Sequence, residues 1–175
     1  MHRLPTRLPR HHTRRSILVA MPLVAAVVFG LGAGDAHADL SKKVIAAFKG
    51  KILVSKGELE PAGDDKSTID KFKKEALTEV VGSPNADDAV EWSFVYTAFL
   101  KGSGATSLEL EFHDGGQLKA NKTLSGVDPK LTVLNGDITI SEDDGLTKGK
   151  KYTLKLVGSV KGKEVVFATS TLSMK

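Results

Sequence analysis

The stretch from Gly145 to Met174 constrains the fold most. Tyr152, Leu154 and Leu156 alternate with Thr153, Lys155 and Val157, a period of two that sends one row of side chains to a core. After Lys161-Gly162 the run from Glu164 to Met174 returns, so the pair predicts two strands joined by a Gly-containing turn and points to a β-sandwich. On the return strand Phe167 has the opposite parity to Leu172 and Met174. One face takes all three only through a one-residue slip, such as a β-bulge near Thr169 or Ser170; the alternative is a strand apolar on both sides.

Leu146, Gly149 and Tyr152, leading into the first of these strands, resemble the tyrosine corner of immunoglobulin-like and fibronectin type III domains. The resemblance implies an immunoglobulin-like antiparallel β-sandwich in which the phenol bonds back to nearby backbone. It carries the architecture alone, because the cysteine pair of the immunoglobulin family is absent.

Further strands follow from the same alternation. Val90, Trp92, Phe94, Tyr96, Ala98 and Leu100 share the core face of the strongest strand, with Glu91, Ser93, Val95, Thr97 and Phe99 on the other. Leu108, Leu110 and Phe112 repeat the pattern over Ser107 to His113, and with Gly102-Ser103-Gly104 between them the two runs are expected to pair as a hairpin. Lys51 to Ser55 reads as a strand, and Gln117 to Leu124 as an edge strand guarded by Lys119 and Lys122. Leu131–Leu134 and Asp137–Ser141 flank Asn135-Gly136, which reads as a tight turn or as a bulge within one strand. That makes about seven strands. Asp39 to Phe48 fits a helical turn or a leading strand.

One segment changes period. Ile69, Phe72, Ala76, Leu77 and Val80 form a helical apolar stripe, Ser67 with Asp70 resembles a capping box, and Gly82 with Pro84 is a stop signal. The pattern predicts one inserted amphipathic helix over about 67–81, covering Val95 and Phe99. With that face covered, recognition falls to the loops 57–66, 83–89 and 142–150.

Residues 1–38 read as an export signal and 39–175 as a single β-sandwich domain. A basic head holds all the arginines (Arg3, Arg7, Arg10, Arg14, Arg15), an apolar run follows from Ile17 to Leu31, and Ala36-His37-Ala38 is a small-x-small cleavage site. Thr13-Arg14-Arg15-Ser16-Ile17-Leu18 is similar to the bacterial twin-arginine export motif, carried here by Arg14 and Arg15; ordinary secretion of an unfolded chain is the alternative. Gly30, Gly32 and Gly34 break the apolar run short of the ~20 residues a membrane span needs, so no stable anchor is expected after cleavage. The reading places the protein in the periplasm or outside the cell.

Without that segment the basic pI of 9.2 disappears, since of 25 Lys and Arg the 20 lysines remain against 20 of the 21 acidic residues. A neutral, arginine-free domain is a poor nucleic-acid binder. The absence of cysteine excludes a disulfide framework, and His113, the sole histidine after residue 38, excludes Ser-His-Asp and multi-histidine metal sites. It is expected on the solvent face of a strand end. Gly158 to Lys163 lacks phosphate-loop spacing.

The remaining candidates are paired carboxylates: Asp64/Asp65, Asp87/Asp88, Asp143/Asp144 and Glu109/Glu111. Glu142, Asp143 and Asp144 before Gly145 offer oxygen ligands of the kind calcium takes, without the spacing of a calcium-binding loop. Catalytic, cofactor-binding and metal-binding residues are therefore each expected to number none. The expectation is an exported, non-enzymatic β-sandwich with a binding or structural role, its partner an unknown protein or envelope component. The alternatives are a small carboxylate-dependent hydrolase and a calcium-dependent adhesive module.

Overall fold

The computed structural model describes residues 40–102 and 104–175, all within one compact unit. The elements run α1 (Lys42–Phe48), β1 (Ile52–Ser55), α2 (Asp65–Glu75), β2 (Glu79–Val80), β3 (Ser83–Pro84), β4 (Val90–Phe99), β5 (Ser107–Asp114), β6 (Gln117–Ser125), β7 (Val133–Ser141), a short 3₁₀ turn (Glu142–Asp144), β8 (Lys151–Val160) and β9 (Lys163–Met174). The protein is mainly β and its strands form two sheets. Seven strands have four residues or more; β2 and β3 have two each.

In the four-stranded sheet β4 is central, bonded along one edge to β7 and along the other to β1 and β3. The five-stranded sheet has the order β2-β9-β8-β5-β6, with β2 parallel to β9 and its other pairs antiparallel. The rows predicted to point inward meet between the sheets. Trp92, Phe94, Tyr96 and Ala98 of β4 join Ile138 and Ile140 of β7 in one apolar core with Leu108, Leu110 and Phe112 of β5 and Tyr152, Leu154 and Leu156 of β8. Trp92 is fully buried, and its indole N–H donates to the Lys175 carbonyl at 3.0 Å, which satisfies the one polar atom the ring brings inside.

β4 and β5 do not pair as a hairpin. They lie in different sheets, and their apolar rows face each other across the core. The partner that bonds β4 is β7, in unbroken register from Glu91↔Ser141 to Phe99↔Val133. Asn135-Gly136 is accordingly neither a turn nor a bulge. Gly136 stands directly across from Tyr96, and a Cβ there would lie 2.7 Å from the phenol oxygen and 2.8 Å from the ring. The glycine makes room for the aromatic side chain.

The expected slip in β9 exists, two residues earlier than Thr169: Leu156 pairs with Ala168 and Val157 with Val166, leaving Phe167 as the extra residue. Phe167, Leu172 and Met174 thus all enter the core. Hairpins β8–β9 and β5–β6 close on two-residue turns with positive φ at both positions, Lys161-Gly162 (52° and 75°) and Gly115-Gly116 (57° and 87°), the geometry that matches strand twist. β6 is an edge strand, as its lysines suggested.

Among the described residues there are two helices rather than one, and the predicted helix is shorter and earlier. α2 is capped by Asp64, whose carboxylate accepts from the Ser67 amide at 3.0 Å, and it ends at Glu75. Leu77 and Val80 fit the helical stripe but belong to extended chain: the Leu77 amide donates to the Val54 carbonyl at 2.7 Å, and Val80 lies in β2. β-Branched Thr78, Val80 and Val81 favour that conformation. The segment Lys42–Phe48 resolves to helix, capped by the Ser41 hydroxyl. Both helices cover the outer face of the four-stranded sheet at one end. Phe48 of α1, Phe72 of α2 and Phe99 of β4 stack with ring centroids 5.1–6.5 Å apart, and Leu53, Leu59 and Val133 complete this second core. Phe99 is covered as predicted. Val95 is half-buried and outside that cluster.

Candidate functional site

Arg14, Arg15, Ala36 and Ala38 lie outside the described residues. Among the described residues no helix is long and apolar enough to cross a membrane, and no group of three or more His, Asp or Glu is arranged to hold a metal ion.

Three of the nine acidic candidates, Asp64, Glu142 and Asp144, accept from backbone amides. Asp64 caps α2, and the Ser67 hydroxyl and amide hold its carboxyl below the usual aspartate range. Asp65 accepts from the Ser41 hydroxyl, tying the starts of the two helices together. Asp87 and Asp88 sit in an exposed turn organised by Asn85, whose side-chain oxygen accepts from the amides of Asp87 and Ala89 at 2.9 and 3.0 Å.

The acidic loop is built the same way. Asp144 accepts from the Ser141 amide at 2.9 Å and from Lys122 at 3.1 Å, and that amide bond foremost, with Lys122 behind it, holds its carboxyl below the ordinary value. Glu142 accepts from the amides of Val90 and Lys148, both at 3.3 Å, with one oxygen each. Asp143 alone of the three has no bonded partner among the described residues, so the loop does not converge its carboxylates on a cation. Nearby, the Thr147 amide donates to the Tyr152 phenol at 2.8 Å, tying the start of β8 to the backbone five residues upstream.

Glu109 and Glu111 are different. With Glu164 from the far strand β9 they line an open cleft of about 410 Å³ on the outer face of the five-stranded sheet, over Val157, Gly158 and Ser159. β5 places both on one side because they stand two residues apart. Each already has a partner: Glu109 accepts from the Asn121 amide group at 2.8 Å, and Glu111 lies 2.6 Å from His113 Nε2.

His113 shares the outer face of β5 with Glu109 and Glu111, near the strand end as expected, but it is only 9% exposed. Its Nδ1 lies 3.2 Å from the Gly116 carbonyl, which can only accept, so Nδ1 carries a hydrogen; Nε2 is occupied by Glu111. With both ring nitrogens engaged, the imidazole is a strut between a strand and the adjoining turn. The Glu-x-His spacing before Gly115-Gly116 was the available signal. A second cleft, about 290 Å³, lies between Lys56, Gly57 and Glu58 and the end of α2 at Lys74 and Glu75, so part of the 57–66 loop does border a cavity. The same loop is pinned by Leu59, buried in the second core.

Compared with known proteins, the chain matches no family model, no curated protein and no solved structure.

Proposed function

We propose that this chain is an exported, non-enzymatic β-sandwich of immunoglobulin-like architecture that binds another macromolecule of the cell envelope or its exterior. The observation that carries the reading is the use made of its acidic groups. Asp64, Glu142 and Asp144 satisfy backbone amides, and Glu109 and Glu111 are held by Asn121 and His113, so the residues that acid–base chemistry would need act as supports. The Thr147–Tyr152 bond supports the tyrosine-corner reading. The charge balance of residues 39–175 speaks for a protein or envelope partner over nucleic acid. Export is tested by replacing Arg14 and Arg15 with Lys and fractionating cells. Precursor retained in the cytoplasm supports the twin-arginine route, unchanged cleavage after Ala38 supports ordinary secretion, and a full-length cytoplasmic wild type overturns export.

A carboxylate-dependent hydrolase is the second reading, favoured by the shared cleft of Glu109, Glu111 and Glu164. The purified protein is expected to leave chromogenic esters and glycosides intact. Hydrolysis that disappears in Glu109→Gln/Glu111→Gln would establish the enzyme and end the binding-module reading.

A further inference from the structure

The two sheets are joined along one side and open along the other. On the joined side the Thr169 amide donates to the Gly50 carbonyl at 3.0 Å, the Lys101 amide to the Phe167 carbonyl at 2.9 Å, and the Leu77 amide, just ahead of β2, to the Val54 carbonyl of β1 at 2.7 Å. On the open side are the last strands of each sheet, β6 and β7, brought together by the Lys122–Asp144 ion pair at 3.1 Å. They are guarded unequally. β6 carries Lys119 and Lys122, and its pairing with β5 shifts register at Phe112/His113. β7 is nine residues long, in unbroken register with β4, and contains no Lys, no Pro and no bulge. Native edges are ordinarily protected by such devices.

The direction of the β7 backbone groups follows from one bond. The Leu100 amide donates to the Thr132 carbonyl at 2.8 Å, which makes Leu100/Thr132 a hydrogen-bonded pair in the β4–β7 register. Such pairs alternate in antiparallel ladders, so the even residues of β7 bond β4 while Val133, Asn135, Asp137, Thr139 and Ser141 turn N–H and C=O outward. Ser141 agrees, since its amide is taken by Asp144 at 2.9 Å. Among the described residues the outward amides of Asn135, Asp137 and Thr139 have no acceptor. Asp137 is exposed and has no ion partner there, and half-buried Leu124 and Leu131 lie toward the open side.

We propose that the β7 edge is a strand-addition site for an extended segment of a partner protein, one that alternates apolar with polar residues and sets a Lys or Arg across from Asp137. The outward amides supply ladder bonds, the apolar row of the guest extends the core past Leu124 and Leu131, and the cation pairs the one uncompensated charge on the edge. A second copy fits less well. Pairing β7 with itself brings two Asp137 carboxylates close and sets the β6 lysines of both copies face to face. The proposal rests on the binding-module reading and names the chemistry of the partner.

The probe is an end-capped nonapeptide alternating Val with Thr and carrying one central Lys, titrated into the isotope-labelled protein. Amide shifts confined to Asn135–Ser141, abolished when alternate peptide nitrogens are methylated, are expected. Thr139→Pro removes an outward N–H without touching the β4 ladder and should weaken binding about tenfold or more. Asp137→Lys should weaken it about fivefold, with recovery when the peptide Lys is exchanged for Glu, a reciprocal swap that needs no fold-sensitive variant. Shifts at Glu109, Glu111 and Ser159 would overturn the edge assignment while leaving a binding module. No shifts at millimolar peptide would overturn it too, the binding reading then standing or falling on the hydrolysis assay. Sedimentation of the free protein as a dimer that Thr139→Pro dissociates would give the edge to a second copy and overturn the partner.

Discussion

Trp92 and Tyr96 occupy the same row of β4 and are almost wholly buried, yet they reach the interior differently. Trp92 has its N–H satisfied by Lys175, so its removal deletes a large apolar volume and frees one carbonyl. Trp92→Ala is expected to cost ~3–5 kcal/mol in urea unfolding; a loss below about 1 kcal/mol would contradict the register of β4. Tyr96 gives a pH dependence. Burial, and secondarily the charge of Asp137, push its phenol above the ordinary value of 10.0. The folded protein therefore keeps the proton where an unfolded chain has lost it. This contribution to stability is complete below pH 10.0 and is lost as pH rises above it. The chain has two tyrosines, so Tyr152→Phe leaves Tyr96 as the sole phenol. Its absorbance change is expected to lag the ordinary value and to coincide with alkaline unfolding; ionisation at the ordinary value in a still folded protein would refute the assignment.

Among the elements, α1 and α2 depend on the sheet beneath them. Helices of seven and eleven residues are unstable alone in water, and both are anchored through Phe48 and Phe72 on Phe99. Phe72→Ala should cost ~3–5 kcal/mol if the two cores unfold together. Amides of Ile69–Glu75 should then exchange about as slowly as those of β4, and exchange within seconds would mean the helices are not docked. The strand parity of β4 was legible in the sequence because a long uninterrupted alternation admits one solution. The end of α2 was not, since Leu77 and Val80 satisfy helical spacing while their amides and carbonyls bond to strands. Nor was the separation of β4 from β5: a strand that pairs with its neighbour and one that faces it across a core carry the same alternation. Asn135-Gly136 misled for a related reason, as the glycine answers to Tyr96 on another strand and not to its own local conformation. At the candidate site, pairing by twos brought out Glu109 and Glu111, whereas the burial of His113 depends on a turn carbonyl that periodicity does not register.

At the scale of the whole molecule, Asp64, Glu142 and Asp144 hold backbone amides, the apolar rows form two cores, and the irregular feature is the difference between the two sides of the sandwich. One side is sewn shut by backbone bonds from Gly50 and Lys101 to β9 and from Leu77, ahead of β2, to Val54 of β1. β9 thus lies inside its sheet, bonded to β8 and β2, and the residue after it holds the Trp92 indole. The last element of the sandwich in chain order is also a central one. During synthesis the nascent chain therefore emerges with Trp92 and the rest of β4 long before the residues that enclose them exist, and folding cannot finish until translation has passed Lys175. A chain still attached to the ribosome is therefore open, its longest apolar row uncovered until β9 arrives.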